Sequence, residues 1–202
     1  MIDFCLGAWM YLTAAGALVV LARLVKDWKQ ADELDKWGAV AFIVYVLHIW
    51  EENRFPGGYW YLVNNTVPNY PMNTVSYMLT NIICLAAALA VLFHGMNNVS
   101  STVFAAVLAS ETAHHCVRLI RQSLVLSGLF YAPGFVTALL GFLPLAMVQL
   151  VKVIERRPRY RHLCLGFALS VIFIFIIIYL PEILLRDPVS PYAFTDPGFY
   201  SR

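Results

Sequence analysis

Charge is what this chain has least of. Of its 202 residues, 13% are Asp, Glu, Lys or Arg, about half the ~25% usual in soluble domains. Hydrophobic residues make up 60% and mean hydropathy is +0.69, so a water-solvated globular domain is excluded and the bilayer is the implied solvent. Cysteine is also sparse. Cys5, Cys84, Cys116 and Cys164 stand singly in apolar runs with no CxxC pair, which excludes a disulfide framework. The net charge is only +2, with no basic stripe of the kind nucleic acid needs. No phosphate-binding loop, nucleophile elbow or dinucleotide fingerprint occurs. Internal repeats and low-complexity tracts are lacking too. The first apolar run has no basic n-region before it and no small-residue cleavage site after it, so it reads as a span rather than a cleaved leader.

What is present is a series of long apolar runs. A transmembrane helix needs about 20 mainly apolar residues, and six stretches qualify, at approximately 4–25, 37–52, 75–95, 99–117, 133–151 and 163–185. The second is short, so its polar end must lie at an interface or inside protein. Residues 118–132 read as a short interfacial or re-entrant helix, set off from the fifth span by Pro133-Gly134. The expected fold is all-α: one polytopic membrane bundle over 1–202, with about six transmembrane helices and a seventh short element at 118–132.

Basic residues set the expected orientation. Lys26, Lys29 and Lys36 cluster in one linker, with Arg23 just before it, and Lys152, Arg156, Arg157, Arg159 and Arg161 in another; the loop 53–74 holds only Arg54. The positive-inside rule then places loops 26–36 and 152–162 in the cytoplasm and the amino terminus on the other side. Arg118 and Arg121 run against this pattern.

That topology acts as a depth ruler. His48, Glu51 and Glu52 fall at the outer end of the second span, Asn81 a turn or two below the outer surface in the third, and Glu111, His114 and His115 in the outer half of the fourth. Ionisable residues within a membrane are costly and usually face a bundle interior or wet cavity, so three helices delivering them to one depth imply one shared site. Helical neighbours three and four apart share a face. His48 therefore aligns with Glu51 and Glu52, and Glu111 with His114 and His115. The second and fourth spans run the same way, which sets His48 level with Glu111 and the Glu51/Glu52 pair level with His114/His115. Each layer mixes carboxylate and imidazole, as a site of N and O ligands requires.

The segment "HIWEENRFPGG" resembles the signature of the HXXEE family of membrane proteins. The likeness covers His48, Glu51, Glu52 and the Phe55-Pro56-Gly57-Gly58 turn. Size and multi-span pattern agree over most of the chain, and Asn81 and the Glu111/His114 pair fit polar positions that the resemblance implies. The family brings little biochemistry with it, so function is argued from the residues.

On that basis His48, Glu52, Glu111, His114 and His115 are candidate metal ligands, for zinc or alternatively for a di-iron pair of the Glu-x-x-His kind. Glu51, Glu52 and Asn81 are candidate catalytic residues, with one Glu of the pair off the metal as general base. Arg54 would receive an anionic headgroup or pair with Glu51 or Glu52. Substrate would enter sideways from the bilayer, which favours a lipid or other amphiphile and a metal-dependent hydrolase. A di-iron oxidase or desaturase is the second reading. A transporter or a hydrogen-bonded structural network is the third. Transport needs polar residues continuing to the cytoplasmic face, where the spans are almost purely apolar. His94 and His162 fall at the inner boundary. Nothing in the sequence sets the oligomeric state.

Overall fold

The computed structural model describes residues 2–58, 74–125 and 131–184. Most of the loop 53–74, and residues 126–130 of the ambiguous 118–132 stretch, lie outside them. The described residues form six helices: α1 (Ile2–Asp27), α2 (Glu33–Asn53), α3 (Thr74–His94), α4 (Asn98–Val125), α5 (Phe135–Glu155) and α6 (160–184). Four of these contain stretches long and apolar enough to cross a membrane: Ala8–Asp27, Val75–His94, Phe135–Glu155 and Tyr160–Tyr179. The other two, α2 and α4, are those that carry the His/Glu motifs. Their charges, from Glu33 and Asp35 to Glu51 and Glu52 in α2 and from Glu111 to Arg118 and Arg121 in α4, dilute their hydropathy without shortening their backbones. α4 accordingly runs eight residues past the expected end at Val117, and Arg118 to Val125 continue it as helix.

α2 is the central helix. One of its sides packs against α1 and α3 through Phe42, Val46 and Ile49, which meet Trp9, Met10, Tyr77 and Leu85. Its other side meets α4 and α5 through Ala41, beside Leu108, Ala138, Phe142 and Ala146. α6 packs along α4. Large apolar side chains such as Leu12, Leu124, Leu140, Met147 and Val171 point outward, as they do where lipid rather than water covers a bundle.

Short linkers at 28–32, 95–97 and 156–159 gather three helix pairs at one end, which we term the basic end. Polar contacts tie it together. Arg23 donates to the Leu92 carbonyl at 3.2 Å and the Met96 amide donates to Asp35 Oδ1 at 2.5 Å. Asp32 caps α2 by accepting from the Leu34 amide at 2.8 Å, and it also pairs with Arg156. Helices α2 and α4 both start here, so they run parallel toward the opposite end.

Two prolines shape α5 and α6. Pro144 and Pro181 offer no amide for the helical ladder, and a π-helical stretch precedes each, at Ala138–Phe142 and Ile174–Tyr179. In α5 the Leu143 amide reaches five residues back to the Ala138 carbonyl, which also accepts from Thr112 Oγ1 at 3.0 Å. Such π segments occur often at functional sites, and this one lies against His48: the His48 and Phe142 rings are 4.6 Å apart.

Candidate metal centre

The end of α2 opposite the basic end is built to hold its last turn firmly. The Gly57 amide closes the helix on the Glu51 carbonyl at 3.0 Å, and Gly57 and Gly58 take φ of +74° and +84°, a region that glycine enters without steric cost. The exposed Arg54 is the C-cap, its amide bonded to the Trp50 carbonyl. Behind that cap His48, Glu51 and Glu52 are all buried, at 3%, 7% and 6% exposure. Carboxylates at such burial must be paired, coordinated or hydrogen-bonded, and the two neighbours meet that need in different ways.

Glu51 is surrounded by donors. Its Oε1 accepts from Tyr131 Oη at 2.9 Å and the Val136 amide at 3.2 Å; its Oε2 accepts from the Thr137 amide at 2.8 Å and Thr137 Oγ1 at 2.5 Å. The carboxylate therefore seals the amino terminus of α5, where exposed amides and the helix dipole favour an anion. With Glu51 ionised, the single hydroxyl proton of Thr137 points to Glu51 Oε2. The 2.8 Å contact between His48 Nδ1 and Thr137 Oγ1 is then a bond in which the imidazole N–H donates, and the lone pair is left on Nε2. A ligating histidine is oriented in this manner by a bond from its second ring nitrogen.

Glu52 turns the other way. Its Oε2 accepts from Tyr77 Oη at 2.5 Å, and that hydroxyl accepts from Asn53 Nδ2 at 2.8 Å. Its Oε1 stands 3.5 Å from His115 Nε2 and 3.7 Å from His48 Nε2. These separations exceed good N–H···O hydrogen bonds. The shorter falls within, and the longer just above, the edges of about 3.3–3.6 Å of a tetrahedron whose vertices lie 2.0–2.2 Å from a central ion. The three side chains are buried, and one ligand atom of each lies within 4.8 Å of the others.

Gly134 forms the wall on one side. Its φ is +85°, and a Cβ there would meet His115 Cε1 at 2.6 Å, Glu52 Cγ at 2.9 Å and His48 Cε1 at 3.0 Å. Backbone thus packs directly on the trio where any side chain would intrude. Sequence reading found Pro133-Gly134 only as a helix break. It missed Thr137, Tyr77 and Tyr131 altogether, because a Thr or Tyr within or beside an apolar run carries no pattern of its own.

The remaining candidates are arranged around this trio. His114 is half-buried, its ring 6.1 Å from that of His115, and it is not one of the three. Glu111, half-buried and one turn before His115, lines a cavity together with Tyr45. Asn81 is buried, donates to the Tyr77 carbonyl at 2.9 Å and accepts from Tyr45 Oη at 2.9 Å. It therefore positions a tyrosine whose ring stacks 6.3 Å from His48. His94 lies exposed at the far end of α3, bonded to its own helix.

A helical bundle with buried His and Glu on facing helices defines the class: a helical protein, with four helices apolar enough for a membrane, holding a potential metal centre at one end. More narrowly, the chain belongs to the family described as proteins of unknown function with an HXXEE motif, which it matches over residues 39–149, more than half its length. The motif residues are His48, Glu51 and Glu52. Neither a curated protein nor a solved structure was found to match the chain.

Proposed function

We propose that His48, Glu52 and His115 hold a single divalent metal, best matched by zinc, in a membrane enzyme that hydrolyses an amphiphile. The observation that carries this reading is the pair of 3.5 and 3.7 Å separations among three buried ligand atoms. Two hydrogen-bonded chains support it, Asn53 through Tyr77 to Glu52 and His48 through Thr137 to Glu51. Two imidazoles and one carboxylate are the donor set of open catalytic zinc sites, in which the fourth position is left for water or substrate. A zinc ion so held polarises the scissile group and makes water acidic enough to attack at neutral pH.

The protein's own parts divide accordingly. Glu51, saturated by four hydrogen bonds, is a positioning residue: it locks Thr137 and through it the His48 tautomer. Tyr77 fixes the rotamer of Glu52. Glu111, on the cavity side and one turn from His115, is the carboxylate we assign to take the proton of the attacking water. A di-iron centre would need further carboxylate ligands, and the engagement of Glu51 with the start of α5 favours one ion over two.

Metal analysis by mass spectrometry on detergent-purified protein tests the proposal. About one zinc per chain is expected in the wild type, less than about a tenth of that in Glu52→Gln and His115→Ala, and full content in Glu111→Gln. A folded wild type that binds no zinc, iron or manganese after reconstitution would sink it. Iron near two per chain would replace it with the redox reading.

A further inference from the structure

The residues one turn before the trio face a different space. A cavity of about 520 Å³ runs between α2, α3, α4 and α6. Its polar lining falls at two ends: Asn97 and Ser100 near the basic end, and Tyr45, Cys84 and Glu111 near the trio. Between them the walls are hydrocarbon, typified by Ala88, Val103, Phe104, Leu108 and Phe173. From Val99 to Glu111 it follows α4 for about 18 Å at 1.5 Å per residue. Water finds no partners along such walls, so the chemistry suits hydrocarbon, and a half-open cavity of this length suits one extended chain rather than a compact ring.

Tyr45 precedes His48 by three residues and Glu111 precedes His115 by four, so on each helix the cavity-lining residue and the metal-trio residue share a face. The polar end of the cavity therefore lies one helical turn from the metal centre, whose three residues do not themselves line it. On the walls contributed by α6, Leu169 and Ile172 are 40% and 51% exposed, which gives a side entrance from the lipid phase.

Resting on the metal-centre reading above, we propose that this cavity is the acyl-chain site of the substrate: one long hydrocarbon chain lies between α3, α4 and α6, with its polar head at Glu111 and Tyr45 against the metal centre. Ligand pockets of this kind measure ~300–1,000 Å³, and the chain defines the substrate class as a single-chain amphiphile such as a fatty acyl ester or lysolipid.

Photolabelling of the full-length purified protein tests it, with palmitic acid and a palmitoyl lysophospholipid each carrying a mid-chain diazirine. Peptides from α3, α4 and α6 should carry the label, and excess unlabelled palmitate should compete it away. Ala88→Phe and Val103→Phe, both at half-buried positions where a ring would fill the cavity, should each reduce labelling at least fivefold, while Leu124→Phe on the outer surface leaves it unchanged. Labelling by one probe and not the other identifies the head group and supports the chain site equally. Label found only on outward-facing residues, unaltered in Ala88→Phe and Val103→Phe, would overturn the proposal. Zinc content measured on the same samples separates the two readings. Chain labelling without zinc leaves this site standing and removes the metal centre, whereas zinc without cavity labelling removes this site alone.

Discussion

Helix α2 begins and ends in acid, and its two ends use the same functional group to opposite effect. At the basic end Asp32 and Glu33 stand at the surface, where Asp32 caps the helix and pairs with Arg156, and Glu33 pairs with Lys36 at 2.7 Å. At the other end Glu51 and Glu52 are buried and have no Lys or Arg bonded to them among the described contacts. Exposed ion pairs contribute little because water already solvates both partners. A buried carboxylate has no such fallback, so every donor around it counts. Carboxylate number alone therefore says little about a site; the supply of donors around each group says much more.

Neutralising the neighbouring carboxylates one at a time should separate their two roles. Glu51→Gln turns one acceptor oxygen into an amide facing the Val136 and Thr137 donors. It should cost about 3 kcal/mol of stability, seen as a lower midpoint in thermal or denaturant unfolding in detergent, with zinc affinity reduced only about tenfold. Glu52→Gln keeps an oxygen for Tyr77 and should leave the unfolding midpoint nearly unchanged while zinc affinity falls more than about 100-fold. Equal losses of stability and metal in both variants would erase the distinction between a sealing and a ligating carboxylate.

Gly134→Ala attacks the wall of the same end. The new methyl must displace both imidazoles and the Glu52 side chain while its backbone holds a positive φ. About 2 kcal/mol of destabilisation is expected, together with loss of zinc. Retention of full metal content in Gly134→Ala would mean that the trio is looser than the close contacts imply. Next in size come the hydroxyls. Thr137→Val and Tyr77→Phe each remove one link to a proposed ligand, and each should weaken zinc binding about 10- to 100-fold; Thr137→Ser, which keeps the hydroxyl, should restore it.

Much of this architecture was legible in the sequence. Six apolar runs became six helices, and the charges that dilute α2 and α4 marked those helices as the ones with chemistry. The arrival of Glu52 and His115 at one level followed from parallel helices and i, i+4 spacing, but His48, expected level with Glu111, instead sets its ring 4.7 Å from that of His115. Which of two adjacent histidines points inward depends on helix rotation, and rotation is fixed by packing of residues such as Leu108 and Thr112 that no periodicity distinguishes. The separate fate of Glu51 was invisible because its donors lie 80 to 86 residues away, at the start of a helix that reads as lipid-facing. Hydropathy likewise ended the fourth span at Val117, whereas backbone hydrogen bonding carries α4 on through two arginines to Val125.

The smallest expected effect belongs to the opposite end of α2 and completes the contrast. The Arg156 guanidinium beside Asp32, aided by the Leu34 amide, holds its carboxyl below the usual value of 3.8. A depressed folded-state value means that the pair contributes stability above the unfolded value and loses it as pH falls through the folded one. The contribution is therefore fully present above about pH 5 and fades in stronger acid. Because Asp32 is 45% exposed, solvent screens the pair, and a few tenths of a kcal/mol is the expected size. Asp32→Asn retains a capping oxygen and should change the unfolding midpoint at pH 7 barely at all, while Asp32→Ala, which also loses the cap, should cost about 1 kcal/mol. Raising the salt concentration should shrink the wild type's advantage over Asp32→Asn and leave the gap between Glu51→Gln and wild type untouched. A salt-sensitive gap at Glu51 would place that carboxylate in contact with water, and the distinction between the two ends of α2 would fail.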